Sequence, residues 1–149
     1  MLDTQFSLAY LARGIAYSSL DRFNEAIQDF TTAIQLDPYA SVAAHAMRGF
    51  AFSQAGNEKQ ALIDFANAFK LDKSFFLTYV YRGITLRKQG QYQRALKDFK
   101  VARQLYSNSY RAHVEAAWIL ATCPRSAVRN GKRALDFASR ACELAEGED

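Results

Sequence analysis

Small and apolar residues recur at helical spacing along the whole chain, most plainly between Tyr79 and Ala102. Tyr79, Gly83 and Leu86 fall on one stripe, Gly90 supplies a left-handed stop, and Ala95, Phe99 and Ala102 form an answering stripe. The pattern predicts two helices folded back on each other. A Gly facing an Ala lets the two backbones come close, and Phe99, one turn further on, fills the gap beneath them. The same order occurs twice upstream, as Gly14, Tyr17, Ala26, Phe30, Ala33 and Pro38 and as Gly49, Phe52, Ala61, Phe65 and Ala68. Gly14 to Gly49 is 35 residues and Gly49 to Gly83 is 34, with constant offsets from Gly to Ala, Phe and Ala inside each copy.

A helix pair repeated at this period, with a small residue, an aromatic, Ala, Phe, Ala and a closing Pro, resembles the tetratricopeptide repeat family. The likeness covers about residues 7–145. It implies an all-α fold, a right-handed α-α superhelix of tandem antiparallel helix pairs, or α-solenoid. The expected organisation is one domain over 1–149 with four repeats, at about 7–40, 42–74, 76–108 and 110–145. Only Pro38 and Pro124 interrupt the helical composition, and no strand is expected.

In chain order, Asp3 or Thr4 can cap a first helix reaching about Leu20, with its partner from about Arg22 to Leu36. Asp21 stands where later copies have Gly56 and Gly90, so a strained or different turn is expected there. Ser41, Ser74 and Asn108 or Ser109 are the expected caps of the later copies. The fourth copy departs from the pattern: Ala117 lies 34 residues after Gly83, but the next pattern Ala is Ala134, five residues late. The insertion falls in Thr122–Gly131, where Pro124 stops one helix and Asn130 can cap the next, over about 131–145. This copy resembles a variant repeat that closes bacterial members of the family, carried by Ala121 to Pro124, Gly131 to Ala134 and Ala141 to Leu144. Lys132, Arg133, Asp136, Arg140 and Glu143 can give it the polar outer side that a terminal repeat needs, before a solvated tail from Glu146 to Asp149.

Charge repeats as well. Arg13, Arg48 and Arg82 directly precede the Gly of their copies, and Asp29, Asp64 and Asp98 directly precede the Phe. The fourth copy has neither, with Ala116 and Phe137 in those places. Loss of both partners together predicts three Arg with Asp bridges, each inside one copy and bracing its two helices.

The first helices carry a second apolar stripe: Leu8, Leu11, Ile15; Ala43, Ala46, Phe50; Leu77, Val80, Ile84; and Arg111, Val114, Trp118. Two readings stand side by side: packing between successive first helices, or the lining of the concave groove in which relatives bind peptides. Phe50, Ile84 and Trp118 are the residues expected to stay partly exposed. Arg87, Lys88 and Arg111 lie close to the stripe and are candidates for partner contact. Some relatives hold a C-terminal carboxylate of a chaperone with Lys, Asn and Arg. The corresponding positions here are Leu11, Ile15, Met47, Leu77 and Tyr81, which argue against such a clamp and for an apolar or amphipathic segment. The expected function is a protein-interaction scaffold. A homo-oligomerisation or assembly module is the alternative, and a nucleic-acid-binding helical repeat ranks below it.

Half the residues are hydrophobic and the net charge is +4, unevenly spread: from Arg82 to Arg133 twelve basic residues face only Asp98 and Glu115. Such a field suits acidic flanks of a peptide, or phosphates. Enzyme chemistry is not expected. His45 and His113 fill the ring slot occupied by Tyr10 and Tyr79 and lie two copies apart, too far to share a metal or act as an acid and base pair. No phosphate loop, nucleophile elbow or carboxylate dyad is present, and no cofactor or metal is implied. Cys123 and Cys142 read as buried free thiols. No apolar run reaches bilayer length and the N-terminus lacks the features of a signal peptide, so a soluble cytoplasmic chain without membrane contact is expected.

Overall fold

A computed structural model describes residues 4–37 and 41–146, with side chains from residue 6 onward in those spans. Eight α-helices lie among the described residues: α1 Thr4–Ser19, α2 Phe23–Leu36, α3 Val42–Gln54, α4 Glu58–Leu71, α5 Phe76–Lys88, α6 Tyr92–Leu105, α7 Tyr110–Thr122 and α8 Gly131–Glu146. No strand occurs among them. The expected cap at Asp3 or the Thr4 side chain, the closing Pro38 and the tail beyond Glu146 lie outside the described residues. Two compact units divide between Tyr81 and Arg82, so that α5 gives its first half to one and its second half to the other.

In the N-terminal unit α1 packs on α2, α3 on α4, and α2 on α3. The α1 and α2 pair is antiparallel: Ser7 donates its hydroxyl to the Ala33 carbonyl, while Arg13 reaches Asp29. Phe30 and Phe65 are buried under the two first-helix glycines. A Cβ on Gly14 would stand 2.6 Å from the Phe30 ring, and one on Gly49 2.9 Å from that of Phe65. The glycine is therefore required by the ring that lies against it more than by the Ala opposite. In the C-terminal unit Gly83 and Phe99 repeat the arrangement at 2.6 Å. The fourth pair replaces both members, with Ala117 in the glycine slot and Ala138 in the phenylalanine slot.

All three expected bridges form inside their own pairs. Arg13 and Asp29 meet at 2.7 Å, Arg48 and Asp64 at 2.8 Å, Arg82 and Asp98 at 2.7 Å, and each guanidinium donates to both carboxylate oxygens. Asp64 takes a third bond, from His45 Nδ1 at 2.9 Å, and Arg48 also reaches Thr31 Oγ1 on α2 at 3.0 Å. His45 is thus a partner of the brace as well as a ring-shaped filler. Burial raises the Asp64 pKa, but the bonds from Arg48 and His45 outweigh it and hold the carboxyl below its ordinary value.

The turns inside the first three pairs share one geometry. Asp21, Gly56 and Gly90 have φ of 56°, 83° and 72°. In each turn two amides bond back into the last helical turn, as Arg22 N to Tyr17 O at 2.9 Å, Asn57 N to Phe52 O at 2.8 Å and Gln91 N to Leu86 O at 2.9 Å. Asp21 thus makes the same turn as the glycines and keeps only the cost of its positive φ.

Caps follow the sequence less closely. Asn130 accepts from the Arg133 amide at 3.0 Å and caps α8 as expected. Ser41 and Ser109 stand at N-cap positions without a cap bond. Ser74 is drawn away because Asp72 Oδ1 takes both its amide and its hydroxyl, at 2.7 and 2.6 Å, and α5 begins two residues later. Asn57, an unexpected cap, accepts from the Gln60 amide. No described helix is long and apolar enough to cross a membrane.

Candidate functional site

The second stripe of the first helices divides between burial and exposure, and the division follows position. Counted from the glycine slot, Leu11, Ala46, Val80 and Val114 are equivalent, as are Ile15, Phe50, Ile84 and Trp118. Ala46 and Val80 are wholly buried and Ile84 nearly so, at 4%. These three, expected in the groove, present no surface to a ligand. Packing has consumed them, as the other reading of the stripe had it, and Ile84 does not join Phe50 and Trp118 as an exposed anchor.

The N-terminal unit keeps Leu8 and Ile15 exposed, with Leu11, Phe50 and Leu77 partly buried. Leu8 and Leu11 line a cavity of about 260 Å³ that is closed by Ala33, Asp37, Ser41 and Ala44. The Phe50 and Tyr81 rings meet at a tilt with centroids 4.9 Å apart, as do those of Phe69 and Tyr79 at 4.7 Å. Tyr81 and Met47, two of the positions that would have to supply a carboxylate clamp, are thereby part of an apolar wall.

The C-terminal unit holds the more open patch. Val114 is 47% and Trp118 48% exposed, Arg111 and Lys88 are exposed, and Arg87 is partly buried. The Arg87 guanidinium lies 4.6 Å from the Trp118 ring centroid and pairs with Glu115 at 2.8 Å, without the alignment of a directed hydrogen bond. A cation on one face of an indole, steadied by a carboxylate, leaves the rest of the ring and Val114 as apolar surface beside positive charge. The sequence reading missed Glu115, although its place three residues before Trp118 puts the two on one face.

On its other side Trp118 borders an apolar cleft of about 800 Å³ between α7 and α8, walled also by Tyr110, Val114, Leu135, Ala138 and Cys142. Cys142 is exposed there, contrary to expectation; Cys123 is buried and both thiols are free. Elsewhere in this unit Arg103 lies over the Phe137 ring at 4.2 Å. Burial, reinforced by Arg133, lowers its pKa. The His113 ring meets the same ring at a tilt, centroids 5.8 Å apart; burial lowers its pKa against the opposing bond to the Ser107 carbonyl, with Arg103 and Arg140 adding to the lowering. Phe137 stands in the slot that holds the bridge aspartate in the first three pairs. Among the described residues no group of three or more His, Cys, Asp or Glu side chains is placed to hold a metal.

Residues 7–39 and 76–109 match the family description "Tetratricopeptide repeat". The chain superposes on the crystal structure of MamA with a TM-score of 0.71 at 17% identity, covering 98% of this chain and 82% of that one. The first TPR of Spaghetti (RPAP3), solved bound to the HSP90 peptide SRMEEVD, gives a TM-score of 0.64 at 25% identity over 74% of this chain and 86% of that one. The Arabidopsis OM64 TPR domain gives 0.66 at 26% identity over 75% and 92%. No curated protein sequence matches the chain significantly.

Proposed function

Because the chain belongs to the tetratricopeptide repeat family, we propose that it is a protein-interaction scaffold whose partner lays an apolar or amphipathic segment against the first-helix faces. The observation that carries this reading is the half-exposed pair Val114 and Trp118 beside Arg87 and Arg111. Apolar side chains of the segment cover the indole and Val114, and acidic residues flanking them meet the basic charge. Leu8, Ile15, Phe50 and Leu77 offer a second, wholly apolar surface on the N-terminal unit. The RPAP3 relative holds a peptide ending in Glu, Val and Asp. Here Leu11, Ile15, Met47, Leu77 and Tyr81 replace the charged and amide groups expected of a carboxylate clamp, so the same peptide should bind poorly.

Affinity capture from native cell extract, repeated with Trp118→Ala and Phe50→Asp, tests the proposal. The wild-type chain should retain proteins that one or both variants lose. An unchanged set of captured proteins would rule these surfaces out. Trp118 is the only tryptophan, so its emission should also shift when a captured partner is added back.

A further inference from the structure

We propose that the C-terminal unit binds a phosphate group, held by Arg103 of α6 and Arg133 of α8 beside the Phe137 ring. Arg103 is singled out by comparing equivalent positions on the second helices. Ile34, Phe69, Arg103 and Cys142 share one slot, and Arg103 alone among them is charged. Ile34, Phe69 and Arg103 are each partly buried. A cation drawn from water into such a slot needs an acid to repay its desolvation. In the first three pairs the arginine of the brace has one, in Asp29, Asp64 or Asp98, but the equivalent residue beside Arg103 is Phe137, over whose ring the guanidinium lies at 4.2 Å. Among the described residues no acid pairs with Arg103, and its Nη1 atom is enclosed without a hydrogen-bond partner. An enclosed N–H of a cation is rarely left unpaired.

A second cation shares the ring. The Arg133 guanidinium lies 5.9 Å from the Phe137 centroid, close enough for its charge to act on Arg103, and Arg133 is exposed, so the place is open to solvent. His113 of α7 is the third group. It occupies the slot of His45, whose Nδ1 bonds to Asp64 at 2.9 Å, but the His113 Nδ1 has no partner although the side chain is nine-tenths buried. Its Nε2 faces the Ser107 carbonyl at 3.3 Å; a carbonyl only accepts, so the neutral ring keeps its proton there and Nδ1 is open to a second one. The charges acting on this ring are those of Arg103 on α6 and Arg140 on α8, and Arg140 has its own acid in Glu143 at 2.9 Å. Asp136, next to Phe137 in sequence, is exposed and pairs with none of these groups. Two arginines without acids suit a dianion that offers several acceptor oxygens, as a phosphate does and a single carboxylate does not. The bound anion also favours the imidazolium form of His113, whose Nδ1 then becomes a donor.

Titration of the full chain with inorganic phosphate, at an ionic strength held constant with sodium chloride, tests the site by nuclear magnetic resonance. The Nε–H signals of Arg103 and Arg133 should shift to saturation with a Kd of about 1 mM or less, and the titration midpoint of the His113 ring should rise when phosphate is present. Arg103→Ile introduces the residue that the first pair has in this slot, so the helices should persist by circular dichroism, while phosphate binding weakens about tenfold or more. Arg133→Gln, at an exposed position, should weaken it as well. Arginine signals that do not saturate by about 10 mM phosphate overturn the proposal. So does an Arg103→Ile chain that binds phosphate as the wild type does. O-phosphoserine in place of inorganic phosphate identifies the source: both orders of affinity uphold the site, tighter binding of phosphoserine marking a phosphorylated side chain and tighter binding of inorganic phosphate the free ion. Neither substitution alters Phe50, Val114, Trp118, Arg87 or Arg111, so partner capture by the surface proposed above is read separately.

Discussion

The pair of a glycine and a phenylalanine ring is the smallest element from which this molecule is built, and it sets how each repeat tolerates change. Adding a methyl to Gly83 places it 2.6 Å from the Phe99 ring, which has buried neighbours on its other sides. Gly83→Ala should cost about 1–3 kcal/mol in chemical denaturation. In the double variant with Phe99→Leu, the combined loss should fall short of the sum, since the smaller side chain makes room. The three Arg with Asp bridges are alike in geometry but differ in burial, the arginines being 58%, 17% and 32% exposed in chain order. Removing the acid strands a cation, and the loss grows with that cation's burial. Asp64→Ala, which also leaves His45 without its acceptor, should cost about 3 kcal/mol, Asp98→Ala less, and Asp29→Ala least. His113 adds a pH dependence. Its folded pKa lies below the ordinary 6.5, so the unfolded chain takes up the proton first. Stability is full above about pH 6.5 and declines as pH falls through that value toward the folded pKa. Urea midpoints measured from pH 8 to pH 5 should fall in the wild-type chain, and less so in His113→Gln.

At the scale of helices and turns, the period of the apolar residues carried the fold, because each slot is decided by contacts inside one pair. The constant Gly, Ala, Phe, Ala offsets describe a packing that needs nothing from outside the pair, and the bridges were legible for the same reason. The second stripe was not decidable in this way. Whether Val80 or Val114 is covered depends on which helices pack nearby, and both are valines in the same slot. Caps were also poorly legible: Ser41, Ser74 and Ser109 all have capping chemistry, but side-chain and backbone acceptors compete for it, and Asp72 won at Ser74. Asp21 shows where pattern and physics agree on the turn and differ on its cost. Its hydrogen bonds match those at Gly56 and Gly90, while its Cβ must accept φ of 56°. Asp21→Gly relieves that strain, of about 1–2 kcal/mol, against the entropy that Gly loses on folding, about 0.5–1 kcal/mol. A net gain in stability is expected, read as a higher urea midpoint, whereas Gly90→Ala should lower it.

Across the whole chain, stability in a repeat protein is shared between each pair's own packing and its neighbours, and the helices here are unequally provided. Each of α2, α4 and α6 buries two alanines, a phenylalanine and the aspartate of its bridge. The last helix, α8, buries only Ala134 and Ala141. It has no bridge, its phenylalanine slot is Ala138, and its far side opens into the cleft. Truncating a buried Phe costs about 3–5 kcal/mol, and half of that difference would already make α8 open about tenfold more often than α6. Native-state hydrogen exchange should therefore show α8 amides exchanging by a sub-global opening that leaves α6 protected. The double change Ala117→Gly with Ala138→Phe restores the pairing found in the first three repeats and should slow that exchange, provided the missing ring is what loosens the helix. Equal protection of α6 and α8 would mean that the insertion loop compensates. Within that loop Val128 is buried and the Asn130 amide bonds to the Leu120 carbonyl at 2.8 Å, so Val128→Ala is the variant that would then expose its contribution.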